Sequence, residues 1–533
     1  MTSTPAERES ASAEQPRAWW EHPWIVLASI LACAVPLLWP EIPPLVDLPG
    51  HMGRYHVQMH MDDAPVLAAY YDFRWALIGN LGVDLLVVPV AWLIGLEPAV
   101  KLIVIAIPVL TAAGFLWIAK EVHRRIPPFA YFALPFAYSY PFMFGFVNFA
   151  LSMALAFLGF AFWLRLARLG RLRLRAVLFV PVSILVWVCH AFGWGTLGVM
   201  AFSAELVRQV DLKRPLWKAL PNTAIQCLSL APPVLLMLLW RSGDQAGGFT
   251  GVWFNWTLKL NWVLMALRDR WYWWDEGSLA LIGLVLLVPL FLFRRVEYSR
   301  NLAASALFLA LAFICLPRIV FGSNYADMRL APFAMAVAVI AIRYRPQWTG
   351  RAGGMIAAAG LLFAGARVAA TTVSFARYDK EYDRELAAVP YVPEGARLIS
   401  FVGVKCRKGW AMTRLEHLPA IALVRRNAFA NDQWSMSGAQ LLTARYPDDG
   451  WFSRDPSQQV LAQKCRGERW LTLEESLRAF PRDRFDYVWL IRPPPYSPQA
   501  ASGLEPVWRS GTSLLYRVAD RRPPPPAADQ DPR

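Results

Sequence analysis

Long apolar runs separated by short basic blocks constrain this chain more than any other feature. A helix that crosses a bilayer needs about 20 apolar residues, and twelve runs of spanning or near-spanning length occur. They begin near residues 24, 81, 100, 128, 148, 176, 191, 224, 279, 302, 330 and 355. Only 17% of the residues are charged, against about 25% in soluble proteins. The sequence therefore predicts a polytopic α-helical membrane protein with about 11–13 spans.

The net charge of +15 raises the alternative of nucleic-acid binding. The basic residues, however, cluster in short blocks between apolar runs, as at residues 165–175, 294–300 and 343–351. Such blocks are typical of cytoplasmic loops under the positive-inside rule. We therefore attribute the charge to membrane topology, and no nucleic-acid partner is expected. On this basis residues 241–277, 322–329 and everything after about 373 lie on the opposite, outer face.

The composition divides the chain into four parts. Residues 1–20 are predicted to be a disordered cytoplasmic N-terminus, and residues 21–375 a transmembrane domain. Two long outer loops are expected within it, at 40–80 and 241–277, and the second is crowded with tryptophans. These indoles fit either a sugar or lipid site or an aromatic belt at the headgroups, and the belt is favoured for most of them.

Residues 376–520 are predicted to form a small extracytoplasmic α+β domain, followed by a disordered Pro-rich tail at 521–533. Strand-like runs lie at 397–402, 487–491 and 513–518, and helix-like runs at 435–444 and 471–479. The polar C-terminal part contains one pair of cysteines, Cys406 and Cys465. If this part is outside the cytoplasm, the two thiols are able to form a disulfide.

The turn at residues 43–54 follows the first apolar run and contains Asp47, His51 and Arg54. Its prolines and the Pro-Gly pair argue against a helix continuing through it. Ionisable groups at a lipid–water boundary are candidates for function. A partly desolvated carboxylate there has a raised pKa, which suits a general base. We interpret Asp47 as catalytic, with His51 beside it; the alternative is an aspartate that only caps the turn.

Two arginines of the first outer loop, Arg54 and Arg74, are candidates for binding a donor phosphate, and snorkelling to lipid headgroups is an equal alternative. Asp84, inside an apolar run, is expected to pair with an arginine of this loop or to be protonated. His56 and His60 lie one helical turn apart but lack a third ligand at diagnostic spacing. No cofactor is therefore required; a divalent metal is allowed but not favoured.

A second polar site is predicted at the mouth of a late span, where Asp327 and Arg329 occur in Ala-Asp-Met-Arg-Leu. Side chains two positions apart do not face each other on a helix, so each should meet a different partner. We expect Arg329 to bind a donor phosphate and Asp327 to orient a sugar hydroxyl. The alternative is a pair of interfacial charges with separate structural partners. His190 is expected to be a packed interfacial histidine rather than a base.

The layout resembles the GT-C superfamily of integral-membrane glycosyltransferases. Three motifs carry a narrower resemblance to a group of uncharacterised bacterial membrane proteins with Asp-x-Pro-x-His in the first loop. They are Pro-Leu-Val-Asp-Leu-Pro-Gly-His at 44–51, Gly-Phe-Val-Asn-Phe at 145–149 and Ala-Asp-Met-Arg-Leu at 326–330. Many GT-C enzymes have two adjacent acids in the first loop, whereas position 48 here is leucine, which leaves His51 where a second acid would stand.

The resemblance implies a bacterial inner-membrane enzyme that moves a sugar from a polyprenyl-phosphate donor to an unknown acceptor at the outer face. Asp47 would be the catalytic base, and membrane lipid the surrounding partner. Two alternatives from other classes are a transporter or flippase, and a non-catalytic envelope scaffold. A transporter predicts paired charges at mid-membrane and repeat symmetry, neither of which the sequence shows.

Overall fold

The chain folds into a membrane-type helical bundle and a strand-containing C-terminal part. The computed structural model describes residues 17–241, 249–320, 322–345, 350–406, 409–436, 439–446, 450–465, 467 and 470–522. Residues 1–16 and 523–533, for which disorder is predicted, lie outside these ranges. The end of the predicted disordered N-terminus is ordered, since Trp19–Glu21 forms a 3₁₀ turn.

Within the described ranges, thirteen α-helices of seven or more residues precede residue 345. They are α1 Pro23–Ala32, α2 Leu48–His60, α3 Gly82–Ile94, α4 Leu96–His123, α5 Val147–Arg168, α6 Leu172–Cys189, α7 Ala191–Asp211, α8 Leu216–Cys227, α9 Pro232–Arg241, α10 Trp256–Leu264, α11 Tyr272–Phe291, α12 Arg300–Cys315 and α13 Ala331–Ile340. Three more follow: α14 Arg351–Leu386, α15 Ala420–Arg426 and α16 Leu473–Ala479.

Within the part of the chain that the structure describes, five helices are long and apolar enough to cross a membrane: α4, α5, α6, α11 and the helical stretch that begins with α14. The bent pair Leu216–Leu230 and Pro232–Leu238 would make a sixth. This number is smaller than the 11–13 spans expected, because several apolar runs form short elements. The run near residue 128 is an 11-residue 3₁₀ helix, and α13 has 10 residues. A helix of ten residues is about 15 Å long, half of the hydrocarbon thickness.

The C-terminal part contains a six-stranded mixed sheet. Its strands are β4 Arg397–Val404, β5 Phe429–Ala430, β7 Gln459–Leu461, β8 Tyr487–Ile491, β9 Leu504–Ser510 and β10 Ser513–Val518. The order is β5-β4-β8-β10-β9, with β7 also paired to β4. The three predicted strands are β4, β8 and β10, and the predicted helix at 471–479 is α16. The prediction of a polytopic helical protein with a strand-containing C-terminal domain is confirmed.

The remaining short strands lie outside this sheet. They are β1 Tyr71–Phe73, β2 Val296–Tyr298, β3 Ile342–Tyr344 and β6 Leu442–Ala444. The pair β2–β3 links the ends of two helical segments. The pair β1–β6 joins the first outer loop to the C-terminal part, with Tyr71 opposite Ala444. The helix predicted at 435–444 is therefore wrong. Residues 435–436 and 439–441 are not helical, residues 442–444 are extended because they pair with β1, and residues 437–438 lie outside the described ranges.

Residues 40–80, the predicted first outer loop, and the C-terminal part share one hydrophobic core. Val57, Leu67 and Tyr71 of the loop pack in the same buried cluster as Leu423 and Phe429 of the C-terminal part. Helix α15 approaches α2 so closely that a β-carbon on Gly53 would lie 3.2 Å from the β-carbon of Ala420. The loop that carries Asp47 and the C-terminal part are thus held against each other by buried apolar surface.

Candidate functional site

Asp47 immediately precedes helix α2. This helix begins at Leu48, within the turn predicted at residues 43–54. Pro49 and Gly50 are helical, because a proline in the first turn occupies a position whose N–H has no partner in the helix. The backbone N–H of Asp47 donates to the carbonyl of Phe144 at 2.9 Å. The carboxylate is thereby fixed by a neighbouring segment at the start of a helix, and its side chain is 14% exposed.

The C-terminal part brings His417 to Asp47. Nε2 of His417 lies 3.9 Å from Oδ1 of Asp47. Its Nδ1 lies 3.1 Å from the backbone carbonyl of Asp432. The His417 ring packs on Trp434, with centroids 4.6 Å apart, and His51 packs on the same indole at 5.3 Å. Residues from two distant parts of the chain therefore surround one carboxylate.

Burial raises the pKa of Asp47 to about 7. The negative charges of Asp455 and Glu416 act in the same direction, whereas His417 and Arg329 oppose the shift. Burial holds the pKa of His51 well below its ordinary value, so that this imidazole is neutral. A carboxylate that titrates near neutrality is suited to general base catalysis.

Arg329 lies in the same cavity and has no carboxylate partner. The side chain is 6% exposed, and its Nη1 lies 3.2 Å from Nε2 of His190. Its Nη2 donates to Oγ of Ser323 at 3.4 Å, and its guanidinium carbon lies 4.7 Å from the ring centre of Phe146. Among the described residues no Asp or Glu oxygen is found within 4 Å of it. A buried cation without a counter-ion is suited to binding an anionic ligand.

A polar cavity of about 370 Å³ contains both groups. Its charged and aromatic lining includes Asp47, His51, Phe146, His190, Tyr325, Arg329, Glu416, His417, Trp434, Asp455 and Trp470. A second, mainly apolar cavity of about 340 Å³ lies between helices α7 and α12. The two cavities share five lining residues, which are Asn80, His190, Ser323, Arg329 and Ala439. Arg329 thus stands where a polar chamber meets an apolar groove.

The two arginines predicted to bind phosphate from the first loop do not line this cavity. Arg54 Nη2 lies 3.0 Å from Oδ1 of Asp84, and both side chains are 3% exposed. This pairing with a loop arginine is one of the two alternatives predicted for Asp84. The side-chain amide of Asn148 also donates to the Asp84 carboxylate, at 2.8 Å. Arg74 is 78% exposed and lies 3.1 Å from Asp72.

Asp327 is buried and supports the segment that carries Arg329. Its Oδ2 lies 3.4 Å from Nζ of Lys259, and its Oδ1 accepts a hydrogen bond from the backbone N–H of Met328 at 2.9 Å. Lys259 in turn donates to the carbonyl oxygens of Phe313 and Leu316. Asp327 and Arg329 therefore have separate partners, as their spacing predicts. The cavity lining includes Arg329 but not Asp327.

Sequence reasoning missed the contribution of the C-terminal part. Glu416, His417, Asp432 and Asp455 lie in no motif with diagnostic spacing, and only tertiary contact with the first loop brings them together. The aromatic loop predicted at residues 241–277 does not line the cavity either. Trp253, Trp256 and Trp273 are each more than half exposed, and the indoles in the cavity are Trp434 and Trp470.

The sequence allows a divalent metal and a disulfide. Within the described ranges no group of three or more His, Cys, Asp or Glu side chains is arranged to hold a metal ion. His56 and His60 stack on each other at 4.5 Å, and His56 hydrogen-bonds Asn427. Cys406 and Cys465 are joined by a disulfide, the pairing that the sequence allows.

Comparison with known proteins finds only a distant structural similarity. No protein-family profile matches the chain, and no curated protein matches it. A crystal structure of ArnT from Cupriavidus metallidurans bound to undecaprenyl phosphate aligns over 94% of this chain and 98% of that chain. The TM-score is 0.49 and the sequence identity is 12%. The apo structure of ArnT gives 0.48 and 11%, over 92% and 97% of the two chains. At these values neither residues nor ligands transfer to this chain.

Proposed function

We propose that this protein is an integral-membrane glycosyltransferase of the GT-C type. It moves a sugar from a polyprenyl-phosphate donor to an acceptor, with Asp47 as the general base. One observation carries the proposal: a carboxylate that titrates near neutrality and a buried guanidinium with no described carboxylate oxygen within 4 Å line one polar cavity, and the guanidinium borders an apolar groove. A polyprenyl-phosphate sugar has the same order of parts, with an apolar tail, an anion and a polar head.

The donor would bind with its phosphate on Arg329. Its first isoprenoid units would lie in the groove between α7 and α12, and its sugar would extend toward Asp47. Two features support this orientation. The groove is lined mainly by apolar side chains such as Leu309, Ala312 and Leu316. The cavity beyond Arg329 contains the aromatic and polar side chains that sugar recognition requires, including Trp434 and Gln459.

The chemical step would be an inverting displacement. Asp47 takes the proton from a hydroxyl or amine of the acceptor as this atom attacks the anomeric carbon. The bond between the anomeric carbon and the phosphate oxygen breaks, and the polyprenyl phosphate leaves with the electron pair. Arg329 stabilises the negative charge that develops on this phosphate. His51, held neutral by burial, is placed to hydrogen-bond the sugar or the acceptor.

The other predicted residues take supporting roles in this proposal. Arg54 and Asp327, each in a buried ion pair, fix the segments that carry Asp47 and Arg329. Arg74 contacts solvent and the membrane surface. We also propose an inner-membrane location with the C-terminal part outside the cytoplasm. The disulfide between Cys406 and Cys465 supports this placement, because disulfides persist in oxidising compartments.

The test is a transfer assay with purified protein in lipid nanodiscs. A panel of radiolabelled polyprenyl-phosphate sugars is added, and release of polyprenyl phosphate or transfer of the label is measured. Asp47→Asn keeps the shape of the side chain but removes the base, so turnover should be lost while folding is retained. The matched control is Asp63→Asn, the same change at an exposed residue outside the cavity. Full activity in Asp47→Asn would contradict the proposed role of Asp47.

A further inference from the structure

His417 belongs to the C-terminal part, yet its imidazole faces the carboxylate of the first outer loop. We propose that His417 is a positioning residue that acts as the counter-ion of Asp47 and favours the ionised form of this carboxylate. The catalytic consequence rests on the proposed function, but the ionic relationship itself does not. Through His417, the C-terminal part has a direct effect on the protonation state of the site.

The orientation of the imidazole is fixed by Asp432. Nδ1 of His417 donates to the backbone carbonyl of Asp432 at 3.1 Å and lies 3.9 Å from Oδ2 of its carboxylate. With Nδ1 committed as a donor, Nε2 is the nitrogen left to face Asp47, at 3.9 Å. Asp432 is itself held in place, since its Oδ2 accepts a hydrogen bond from the backbone N–H of Ala420 at 3.1 Å.

The surrounding carboxylates favour a cation at this position. Four carboxylates act on His417: Asp47 from the first loop, and Glu416, Asp432 and Asp455 from the C-terminal part. Glu416 is bonded to neutral donors, Thr413 and Gln459. Among the described residues, Arg329 is the cation that lines the cavity. Arg318 and Arg268 act on the nearby Tyr325 and Tyr140. Arg54 acts on His51 but is paired with Asp84 outside the cavity lining. An imidazolium at His417 therefore compensates an excess of negative charge.

The direction of the titration agrees with this geometry. Burial acts to lower the pKa of His417, but the four carboxylates outweigh it, and its pKa lies above the ordinary value. In the opposite direction, His417 lowers the pKa of Asp47 against the effect of burial. Each group favours the charged form of the other, as expected for an ion pair across a desolvated gap.

The His417 segment is held in place by the bundle. Arg414, three residues before His417, lies 2.6 Å from Oδ1 of Asp269, and both side chains are buried. The hydroxyls of Tyr378 and Tyr382 on α14 donate to the carbonyls of Met412 and Arg414, both at 2.7 Å. The distance between His417 and Asp47 is therefore set by packing on a long apolar helix.

Two reciprocal titrations test the proposal without any substrate. Infrared difference spectroscopy follows the protonated carboxyl band of Asp47, identified by its loss in Asp47→Asn. In His417→Gln the midpoint of this band should rise by at least one pH unit. His60→Gln, the same change outside the cavity, should leave it where it is. An unchanged midpoint in a folded His417→Gln protein would overturn the proposal.

The second titration does not depend on the folding of His417→Gln. Carbon-13-labelled histidine rings are followed by NMR in the wild type and in Asp47→Asn, which keeps the size of the side chain. The midpoint of the His417 ring should fall in Asp47→Asn, since coupling between two sites is reciprocal. The His60 ring should titrate as before. No movement of the His417 midpoint would equally overturn the proposal.

The pH profile of transfer then connects the ion pair to activity. If the pKa of Asp47 rises from about 7 to about 8, the ionised fraction at pH 7 falls about fivefold. His417→Gln should therefore lose activity near pH 7 and regain it in more alkaline buffer, whereas a purely structural defect would reduce activity equally at every pH. If the wild type transfers no sugar at all, the proposed function fails, while the two titrations still decide the role of His417.

Discussion

A β-carbon on Gly145 would lie 2.7 Å from the backbone nitrogen of Asp47. Gly145 has a φ of +104° and ends the short helical turn Tyr140–Phe144. The preceding residue, Phe144, accepts the hydrogen bond from that same nitrogen. The segment around residue 145 therefore does two things at once: it takes a backbone conformation that favours glycine, and it sets the position of the carboxylate.

Gly145→Ala should displace Asp47 and reduce transfer strongly. The left-handed conformation alone costs an L-residue about 1–2 kcal/mol, and the contact with Asp47 adds to this. Thermal unfolding and the transfer assay measure the two effects. The matched control is Gly170→Ala, where φ is +68° and no atom lies within 4 Å of the added carbon. Gly170→Ala should lose stability without losing activity per folded molecule; equal losses of activity in both variants would contradict this explanation.

Arg329→Gln should weaken binding of a polyprenyl-phosphate donor about tenfold or more. A hydrogen bond to a charged group contributes about 1.5–3 kcal/mol, and 1.4 kcal/mol corresponds to a factor of ten. Arg329→Lys keeps the charge but not the planar contact with Phe146, so its loss should be smaller. Binding is measured by displacement of a fluorescent polyprenyl phosphate. Arg74→Gln is the control, since Arg74 is largely exposed and paired with Asp72; an equal loss there would point to general electrostatic attraction.

Much of the fold follows from local patterns. The apolar runs predict the helical bundle, and alternating or apolar runs bounded by Gly and Pro predict β4, β8 and β10. The errors occur where tertiary contact decides the conformation. Residues 442–444 look helical but pair with β1. The start of α2 was missed because the helix-breaking effect of Pro49 does not apply to the first turn of a helix.

The residues of the candidate site also fall into those that local sequence patterns predict and those that only tertiary contact brings together. Asp47, His51 and Arg329 were chosen because ionisable residues beside apolar runs are unusual, and the structure brings all three to one cavity. His417 and Asp455 carry no such local signal, because charged residues are ordinary in a polar domain. Arg54 is close to Asp47 in sequence, but its partner Asp84 is 30 residues away. The position of Asp84 inside an apolar run indicates that it needs a partner, but it does not indicate which arginine this partner is.

Arg54→Met should destabilise the protein by about 3–5 kcal/mol, because it leaves the buried carboxylate of Asp84 without its cation. Removing both charges in Arg54→Met/Asp84→Asn should cost less than Arg54→Met alone. Thermal unfolding in detergent of Arg54→Met, Asp84→Asn and the double variant gives three values, and their non-additivity measures the coupling. Arg74→Met, at an exposed ion pair, should change stability by less than about 0.5 kcal/mol. A stable Arg54→Met protein with weak donor binding would instead assign Arg54 to the phosphate.

Asp47→Asn should be more stable than the wild type at alkaline pH but not at acidic pH. The pKa of Asp47 is about 7 in the folded protein and about 3.9 in an unfolded chain. Because the folded state favours the protonated acid, the wild type loses free energy of unfolding as the pH rises from about 4 to about 7. An asparagine resembles the protonated acid and has no such loss. The difference should therefore be near zero at pH 4 and should grow to at most about 4 kcal/mol by pH 8.

Thermal unfolding of both proteins between pH 4 and pH 8.5 measures this difference. The raised pKa of His417 gives a stabilising contribution that is present below about pH 6.5 and is lost as the pH rises through its folded-state value, so it does not offset the gain at the alkaline end of this range. Asp63→Asn, at an exposed carboxylate, should give a flat difference over the same range. A wild type that is more stable than Asp47→Asn at pH 8 would show that the Asp47 carboxylate is stabilised in the folded protein. Its pKa would then be lowered, and Asp47 would be too weak a base at neutral pH for the proposed reaction.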